Sequence, residues 1–158
     1  MIKTILGWMQ KYLDWYNNTV KLETRTIIAK KKISELFIVN NVFLGDDKYN
    51  TTTIFSMTQF LKVWQKYIRY SQKKWSKSFD CDNFSDIFMG FAKLTNPTQA
   101  IGTIWVKQTQ TINHALNFFV YRTTNKTFGW AYIEPQTGEI YELNNKKVLN
   151  WRPYYVRI

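Results

Sequence analysis

One thiol and one imidazole are the residues of this 158-residue chain that could act together in catalysis. Cys81 lies in the segment Asp80-Cys81-Asp82-Asn83-Phe84, where the pattern predicts the first turn of a helix. Unpaired N–H groups at a helix start stabilise an anion, so a thiolate there is a better nucleophile. The flanking carboxylates oppose this effect because negative charge raises the pKa of a thiol. The alternative is that Cys81 is a small buried hydrophobic residue.

His114 and Glu134 could complete a site around the thiol. His114 follows Cys81 by 33 residues in a strand-like segment, and a general base needs to be near its nucleophile only in space. Glu134 ends the next strand-like segment and could orient the imidazole and stabilise its protonated form. Pro135 favours an extended Glu134. The alternatives are a histidine packed in a sheet and an exposed carboxylate at a strand end.

Hydrophobic periodicity predicts the helices that would position these residues. The expected helices cover residues 1–16, residues 56–71 with Ser56 as the N-cap, and a segment that starts between residues 78 and 81 and ends at Asn96-Pro97. A short strand is expected over residues 20–25, and residues 33–39 fit either state.

After Pro97, β-branched and aromatic residues dominate, as is typical of strands. The segment Gln136-Thr137-Gly138-Glu139 predicts a hairpin turn. The expected strands cover residues 101–106, 112–121, 128–133 and 154–158. Helices followed by strands predict an α+β fold, in which N-terminal helices pack on a C-terminal antiparallel sheet.

Three segments together resemble a known family. They are Asp80-Cys81-Asp82-Asn83-Phe84, Asn113-His114-Ala115-Leu116-Asn117 and Ile133-Glu134-Pro135-Gln136-Thr137. They look like the motifs of the papain-like C-terminal domain of the mushroom lectin MOA and its bacterial and phage relatives. Typical members read Asp-Cys-Asp-Asp-Phe, Gly-His-Ala-x-Asn and Glu-Pro-Gln in this order. Asn83 and Asn113 depart from that pattern, and the resemblance covers roughly residues 45–145.

The resemblance implies a papain-like α+β domain, which we expect over residues 45–158. Residues 1–44 are expected, from the apolar periodicity at their start, to be an N-terminal amphipathic helical extension packed on it. It implies a cysteine hydrolase that cleaves a peptide or other amide bond, in a small phage or bacterial protein. Cys81 would be the nucleophile, His114 the general base and Glu134 the residue that orients it. The polar residues expected to face the substrate or to support the site are Gln136, Asn113 and Asn117.

Calcium is a further implication of the resemblance, because the fungal relative is a calcium-dependent cysteine protease. Asp80 and Asp82 would then be metal ligands. Two carboxylates make an incomplete calcium shell, since calcium takes six to eight oxygen ligands.

The alternative function is a catalytically inactive papain-like binder, a basic phage effector that engages nucleic acid or inhibits a host protein. The formal net charge is +11, and five cations recur at helical spacing where they could contact phosphates. They are Lys62, Lys66, Arg69, Lys73 and Lys77. The other interpretation of these cations is the solvated face of an amphipathic helix. Trp75, Trp105, Trp130 and Trp151 could stack on bases or on a peptide, although their patterns also suit core packing.

Composition excludes several classes of protein. A single cysteine cannot form an intramolecular disulfide, and one cysteine with one histidine cannot build a structural zinc site. No apolar segment approaches the roughly 20 residues that span a bilayer, and the N-terminus lacks a signal-peptide pattern. We therefore expect a cytoplasmic protein, in the host cytoplasm if it is encoded by a phage, with no membrane partner.

Overall fold

The computed structural model describes residues 27–37, 39, 41–71, 74–123 and 127–158, together with Gly7. Between residues 27 and 158 the described chain forms eight strands and three helices. In chain order they are β1 (Ile27–Ala29), α1 (Lys30–Ser34), β2 (Val42–Phe43), β3 (Lys48–Asn50), α2 (Ile54–Ser71), α3 (Cys81–Thr95), β4 (Ile101–Lys107), β5 (Asn113–Arg122), β6 (Phe128–Glu134), β7 (Glu139–Glu142) and β8 (Arg152–Arg157). The helix predicted over residues 1–16 and the strand predicted over residues 20–25 lie outside the described residues.

Six of the strands form one sheet in the order β2-β8-β4-β5-β6-β7. β2 runs parallel to β8, and every other neighbouring pair in this sheet is antiparallel. β1 and β3 pair antiparallel in a separate two-stranded sheet. The main sheet is therefore mixed, and β5 lies near its centre.

The expected fold class, papain-like α+β with N-terminal helices packed on an antiparallel sheet, is wrong. The structure is mostly a mixed sheet of six strands plus a small sheet, with few helices. β2 comes from the first half of the chain and joins β8 through hydrogen bonds from Val156 N to Asn41 O (2.9 Å) and from Ile158 N to Phe43 O (3.0 Å). Sequence periodicity missed it because a two-residue strand carries no periodic signal.

The helices around the site begin at identifiable caps. α2 begins at Ile54, two residues before the predicted start, because Thr53 is the residue whose Oγ1 accepts the Ser56 N–H at 3.0 Å. α3 begins at Cys81, and the Asn83 side chain accepts the backbone N–H of Asp80 at 3.1 Å. The prediction of a helix that starts near Cys81 and stops before Pro97 is confirmed.

The strands after Pro97 are also confirmed, with small shifts at their ends. β4, β5 and β6 each end one residue later than predicted, and β5 also begins one residue later. β8 begins at Arg152, two residues before the predicted start. The hairpin turn lies between β6 and β7. Gly138 closes it with a φ of +74°, a left-handed conformation that favours glycine, and its N–H bonds to Glu134 O at 2.7 Å.

Two apolar clusters cover the two faces of the main sheet. Successive residues of a strand point to opposite faces, and Phe118 and Phe119 accordingly belong to different clusters. The Phe119 cluster contains α2 and α3, with Trp64 and Phe88 fully buried. The Phe118 cluster contains the N-terminal segment, through residues such as Ile33. The sheet is therefore packed on both sides, which explains why the middle of β5 is buried throughout.

Residues 27–43 contribute β1, α1 and β2 to this packing. The proposed division into a 1–44 extension and a 45–158 domain stays a prediction, because all of residues 1–26 except Gly7 lie outside the described ranges. None of the helices in the described ranges combines the length and the apolar character that a membrane-spanning helix needs.

The contact between α2 and α3 predicts a large cost for truncating Phe88. Its ring is fully buried and meets the rings of Phe60 and Trp64 at centroid distances of 5.7 and 5.1 Å. We expect Phe88→Ala to lower the free energy of unfolding by about 3–5 kcal/mol, measured by urea denaturation. The control is Phe55→Ala, since Phe55 is 67% exposed and its loss should change stability by less than about 0.5 kcal/mol. Equal effects of the two variants would contradict this packing.

Candidate functional site

Three elements meet where Cys81, His114 and Glu134 lie. Cys81 is the first residue of α3, His114 the second of β5 and Glu134 the last of β6. β5 and β6 are antiparallel with Asn117 opposite Ile133, so the start of β5 and the end of β6 lie at the same end of the sheet. The structure thus brings together the three residues that sequence analysis selected.

His114 is held by a short contact with Glu134. Its Nε2 lies 2.6 Å from Glu134 Oε2, and the two side chains are only 17% and 12% exposed. A hydrogen bond that involves a carboxylate is strengthened by its charge and by the low dielectric of a buried site. Because Nε2 is engaged by Glu134, Nδ1 is the ring nitrogen available to Cys81.

The surroundings of Cys81 favour its thiolate form. Its Sγ accepts the backbone N–H of Ala115 at 3.4 Å, and the thiol forms a side-chain hydrogen bond with His114. The bond with His114 lowers the pKa of Cys81 most strongly, and the Ala115 N–H lowers it further. Burial and the charge of Asp80 act in the opposite direction but do not cancel this effect, so the pKa of Cys81 is below its ordinary value.

The environment of His114 favours its protonated form. Burial is the largest single influence and lowers the pKa of His114, since it disfavours the charged imidazolium. The hydrogen bonds to Cys81 and Glu134, together with the charges of both groups, outweigh burial and raise the pKa of His114 to about 9. The surroundings of the pair therefore favour the thiolate form of Cys81 and the imidazolium form of His114, with Glu134 behind the ring.

The turn after β6 fixes the carboxylate of Glu134. Gln136 donates its backbone N–H to Glu134 Oε1 at 3.2 Å. Trp64 of α2 donates its indole N–H to Pro135 O at 2.6 Å in a buried contact. Gln136, which sequence analysis expected to face a substrate or support the site, thus supports Glu134 through its backbone.

The two predicted asparagines occupy different environments. Asn117 is fully buried, and its amide donates to Ser85 O at 2.9 Å and to Gly102 O at 3.1 Å, which ties α3 to β4. Asn113 is exposed at the start of β5, opposite Lys107. Asn117 therefore positions α3 relative to the sheet, and Asn113 lies at the surface beside the site.

Asp80 and Asp82 lie at the start of α3. A hydrogen bond with the Asp82 side chain is the largest influence that raises the pKa of Asp80. Asp82 Oδ1 also accepts the backbone N–H of Asn83 at 2.9 Å. Among the residues that the structure describes, no group of three or more His, Cys, Asp or Glu side chains could hold a metal ion. The metal role of Asp80 and Asp82 therefore stays a prediction, and a calcium shell of six to eight oxygens would need further ligands.

The predicted basic stripe is shorter than its spacing suggested. Lys62, Lys66 and Arg69 are exposed on α2. Lys77 lies in the turn between Ser76 and Phe79, beyond the end of the helix, and Lys73 is outside the described residues. The helical spacing was continued past the point at which the helix ends at Ser71.

The tryptophans divide between core and surface. Trp130 is 7% exposed and packs in the core, whereas Trp75 is 60% exposed. Trp105 is partly exposed and lies edge-on to Tyr155 at 4.8 Å. Trp151 lies edge-on to the His114 ring at a centroid distance of 6.2 Å and forms a wall of the site.

Sequence analysis missed three groups that build the site: the indole N–H of Trp64, the ring of Trp151 and the backbone N–H of Ala115. Trp64 lies in the helix predicted over residues 56–71, and helical periodicity gives no sign of a hydrogen bond to Pro135. Trp151 was considered for stacking on a base or a peptide and for core packing, but not as a neighbour of His114. A backbone N–H has no sequence signal, so only the position of Ala115 directly after His114 could have suggested its role.

The fold is similar to those of two solved structures. One is the Polyporus squamosus lectin bound to the human-type influenza-binding epitope Neu5Aca2-6Galb1-4GlcNAc, with a TM-score of 0.61 and 22% sequence identity; the match covers 84% of this chain and 49% of that chain. The other is described as the PSL1a-E64 complex, with a TM-score of 0.62, 22% identity and coverage of 84% and 50%. No family model and no curated protein matches the chain. The chain spans about half the length of these two proteins.

This likeness establishes the fold and corrects the functional hypothesis. The Polyporus squamosus lectin is a mushroom lectin of the same fold class as the MOA-type lectins. The resemblance to the MOA family is therefore supported at the level of the fold. The neighbour whose description states a function is described as a lectin, which overturns the cysteine-hydrolase hypothesis. The hydrolase and cysteine-protease assignments are therefore withdrawn. The comparisons give no support to a phage origin, a peptide substrate or a nucleic-acid partner.

The pKa of His114 provides a test of the site geometry. His114 is the one histidine in the chain, so its ring signals in a two-dimensional ¹H–¹⁵N NMR titration are unambiguous. We expect a pKa of about 9 in the native protein. Glu134→Gln removes the negative charge behind the ring and should lower it, whereas Glu35→Gln, at an exposed ion pair with Lys32, should leave it unchanged. A native pKa near 6.5 would contradict the geometry.

The same shift predicts how stability depends on pH. The pKa of His114 is higher in the folded chain than its ordinary value of 6.5. Its stabilising contribution is therefore complete below about pH 6.5 and is lost as the pH rises through about 9. We expect urea denaturation curves to show this loss in the native protein and a weaker one in His114→Gln. Parallel pH profiles for the two proteins would argue against it.

Proposed function

We propose that this chain is a ligand-binding protein that holds its ligand at the thiolate of Cys81, with His114 and Glu134 as the groups that activate it. The observation that carries the proposal is the partly buried contact between His114 and Glu134 beside a thiol whose pKa is lowered. A partly buried thiolate–imidazolium pair costs desolvation free energy, and a small core cysteine needs no such partners.

The chemistry of this site suits capture of an electrophilic ligand. With an α,β-unsaturated carbonyl compound, the thiolate electron pair would form a C–S bond to the β-carbon. The electrons of the C=C bond would move to the carbonyl side, and the α-carbon would receive the proton of the imidazolium. Thiolate and imidazolium would thereby become thioether and neutral imidazole. No bond of the ligand is broken by water, so the function is binding.

Two facts support a binding role. A structure with this fold was obtained as the PSL1a-E64 complex, and another with the epitope Neu5Aca2-6Galb1-4GlcNAc, so the fold is compatible with bound ligands. The N–H of Ala115 and the ring of Trp151 also border the thiol, which gives a ligand at Cys81 both a hydrogen-bond donor and an aromatic wall.

A carbohydrate is the second candidate ligand, favoured by the lectin that was solved with the sialylated epitope. This chain spans about half of that lectin, so the sugar must be tested on this chain directly. Saturation-transfer NMR with Neu5Aca2-6Galb1-4GlcNAc would detect binding. Binding that survives Cys81→Ser would place the sugar away from the thiol, and absence of binding at millimolar sugar would eliminate this candidate.

Labelling of Cys81 by iodoacetamide tests the activated thiol. An ordinary thiol is only a few per cent ionised at pH 7, so a thiol with a lowered pKa should react about tenfold faster than free cysteine. We expect the rate, followed by mass spectrometry, to fall toward that of free cysteine in His114→Gln. Since Cys81 is the chain's one cysteine, Cys81→Ser should not label at all.

Lys48→Gln serves as the matched control because Lys48 is exposed on β3, in the separate two-stranded sheet. Its labelling rate should equal that of the native protein. The proposal fails if native Cys81 labels no faster than free cysteine and its rate rises with pH as that of an ordinary thiol does.

A further inference from the structure

A polar cavity of about 400 Å³ lies at one end of the main sheet. Its lining comes from the end of β4, the loop that follows it and the start of β8. The lining residues are Lys107, Gln108, Thr109, Gln110, Asn150 and Arg152. Every one of these side chains can donate a hydrogen bond, and none carries a carboxylate.

The two cations of this cavity lie opposite each other, and neither has an acidic partner among the described residues. Lys107 and Arg152 are paired in the register of β4 and β8. Other exposed cations do have such partners, for example Lys147 with Glu139 at 2.9 Å and Arg157 with Asp86 at 2.5 Å. Within the described ranges neither Lys107 nor Arg152 forms an ion pair. Two adjacent like charges favour a bound anion, since it relieves their repulsion.

The cavity adjoins the thiol site. Lys107 pairs with Asn113, and the preceding residue of β4 pairs with His114. Trp151 lies in sequence between two lining residues, Asn150 and Arg152, and its ring is edge-on to His114. The cavity and the thiol site are therefore neighbours at the same end of the sheet.

The charges around Cys81 favour binding of an anionic group in the cavity over binding at the sulfur itself. Asp80 lies close to the sulfur and Glu134 lies close to its histidine partner, so an anionic group placed directly there meets negative charge. Lys107 and Arg152 offer that anionic group a favourable position nearby. The planar guanidinium of Arg152 matches the geometry of a carboxylate, and the neighbouring amide and hydroxyl groups can complete its hydrogen bonds.

We propose that this cavity binds the carboxylate of the ligand held at Cys81, so that the ligand is a small organic acid with its reactive atom several ångströms from the carboxylate. The inference rests on the function proposed above for Cys81. It adds the class of ligand and assigns Lys107 and Arg152 as the residues that select it.

Two disulfide reagents of different charge test the selection. The thiolate of Cys81 attacks one sulfur of the reagent, a mixed disulfide forms, and the other half leaves as a coloured thiolate or thione. 5,5′-Dithiobis(2-nitrobenzoate) carries a carboxylate on each ring, and 4,4′-dithiodipyridine is neutral. We expect the double variant Lys107→Gln/Arg152→Gln to lower the ratio of the two rate constants, anionic over neutral, by about tenfold. Lys48→Gln, which removes a charge from the separate two-stranded sheet, should leave the ratio unchanged.

A second measurement separates this inference from the function on which it depends. In full-length Cys81→Ser, titration with citrate should shift backbone amide signals of residues 107–110 and 150–152 in ¹⁵N NMR spectra, and the double variant should abolish these shifts. If citrate shifts these signals but the native Cys81 reacts no faster than an ordinary thiol, the anion site is supported and the function proposed for Cys81 is overturned. An unchanged reagent ratio together with no citrate shifts would overturn the anion site. Shifts with inorganic phosphate but not with citrate would overturn the assignment to carboxylates.

Discussion

The packing of β5 on both of its faces is the constraint on which the rest of the molecule depends. One face meets α2 and α3, and the other meets the N-terminal segment with α1. A strand enclosed in this way cannot shift its register by one residue without moving its apolar side chains to the wrong face. The position of His114 at the start of β5 is therefore determined by the core and not by a loop. The same core carries α3, whose first residue is Cys81.

Electrostatics at the site follow from this burial. An imidazole at this depth would be neutral if burial acted alone, and a thiol would be protonated. Each group opposes the effect of burial on the pKa of the other, and Glu134 adds a negative charge on the far side of the ring. Trp64 and Gln136 hold the turn that carries Glu134. The packing of α2 therefore influences the pKa of Cys81 indirectly, because it positions Glu134 and, through Glu134, His114.

The sequence predicted the location of the site more accurately than it predicted the fold or the function. Cys81, His114 and Glu134 stand at element ends that strong periodic signals define, and the structure brings them together. β2 escaped prediction because backbone hydrogen bonds to β8, not its own residue pattern, make it a strand. Thr53 was overlooked as a cap because Ser56 is an equally good capping residue by type. The papain-like and hydrolase assignments came from short motifs, which describe local chemistry and leave the action of the whole protein open.

The place of β8 in the sheet affects the order in which the fold can assemble. β8 is the last described strand in sequence, yet it lies between β2 and β4 in space. The strands β4 to β7 connect neighbours along the chain and can pair as soon as each has been synthesised. β2 emerges from the ribosome far earlier but has no partner until β8 arrives, so its pairing closes a loop of more than a hundred residues. Such long-range closure is slow, and until it occurs the outer side of β4 remains an unpaired edge on which a chaperone or a second nascent chain can act.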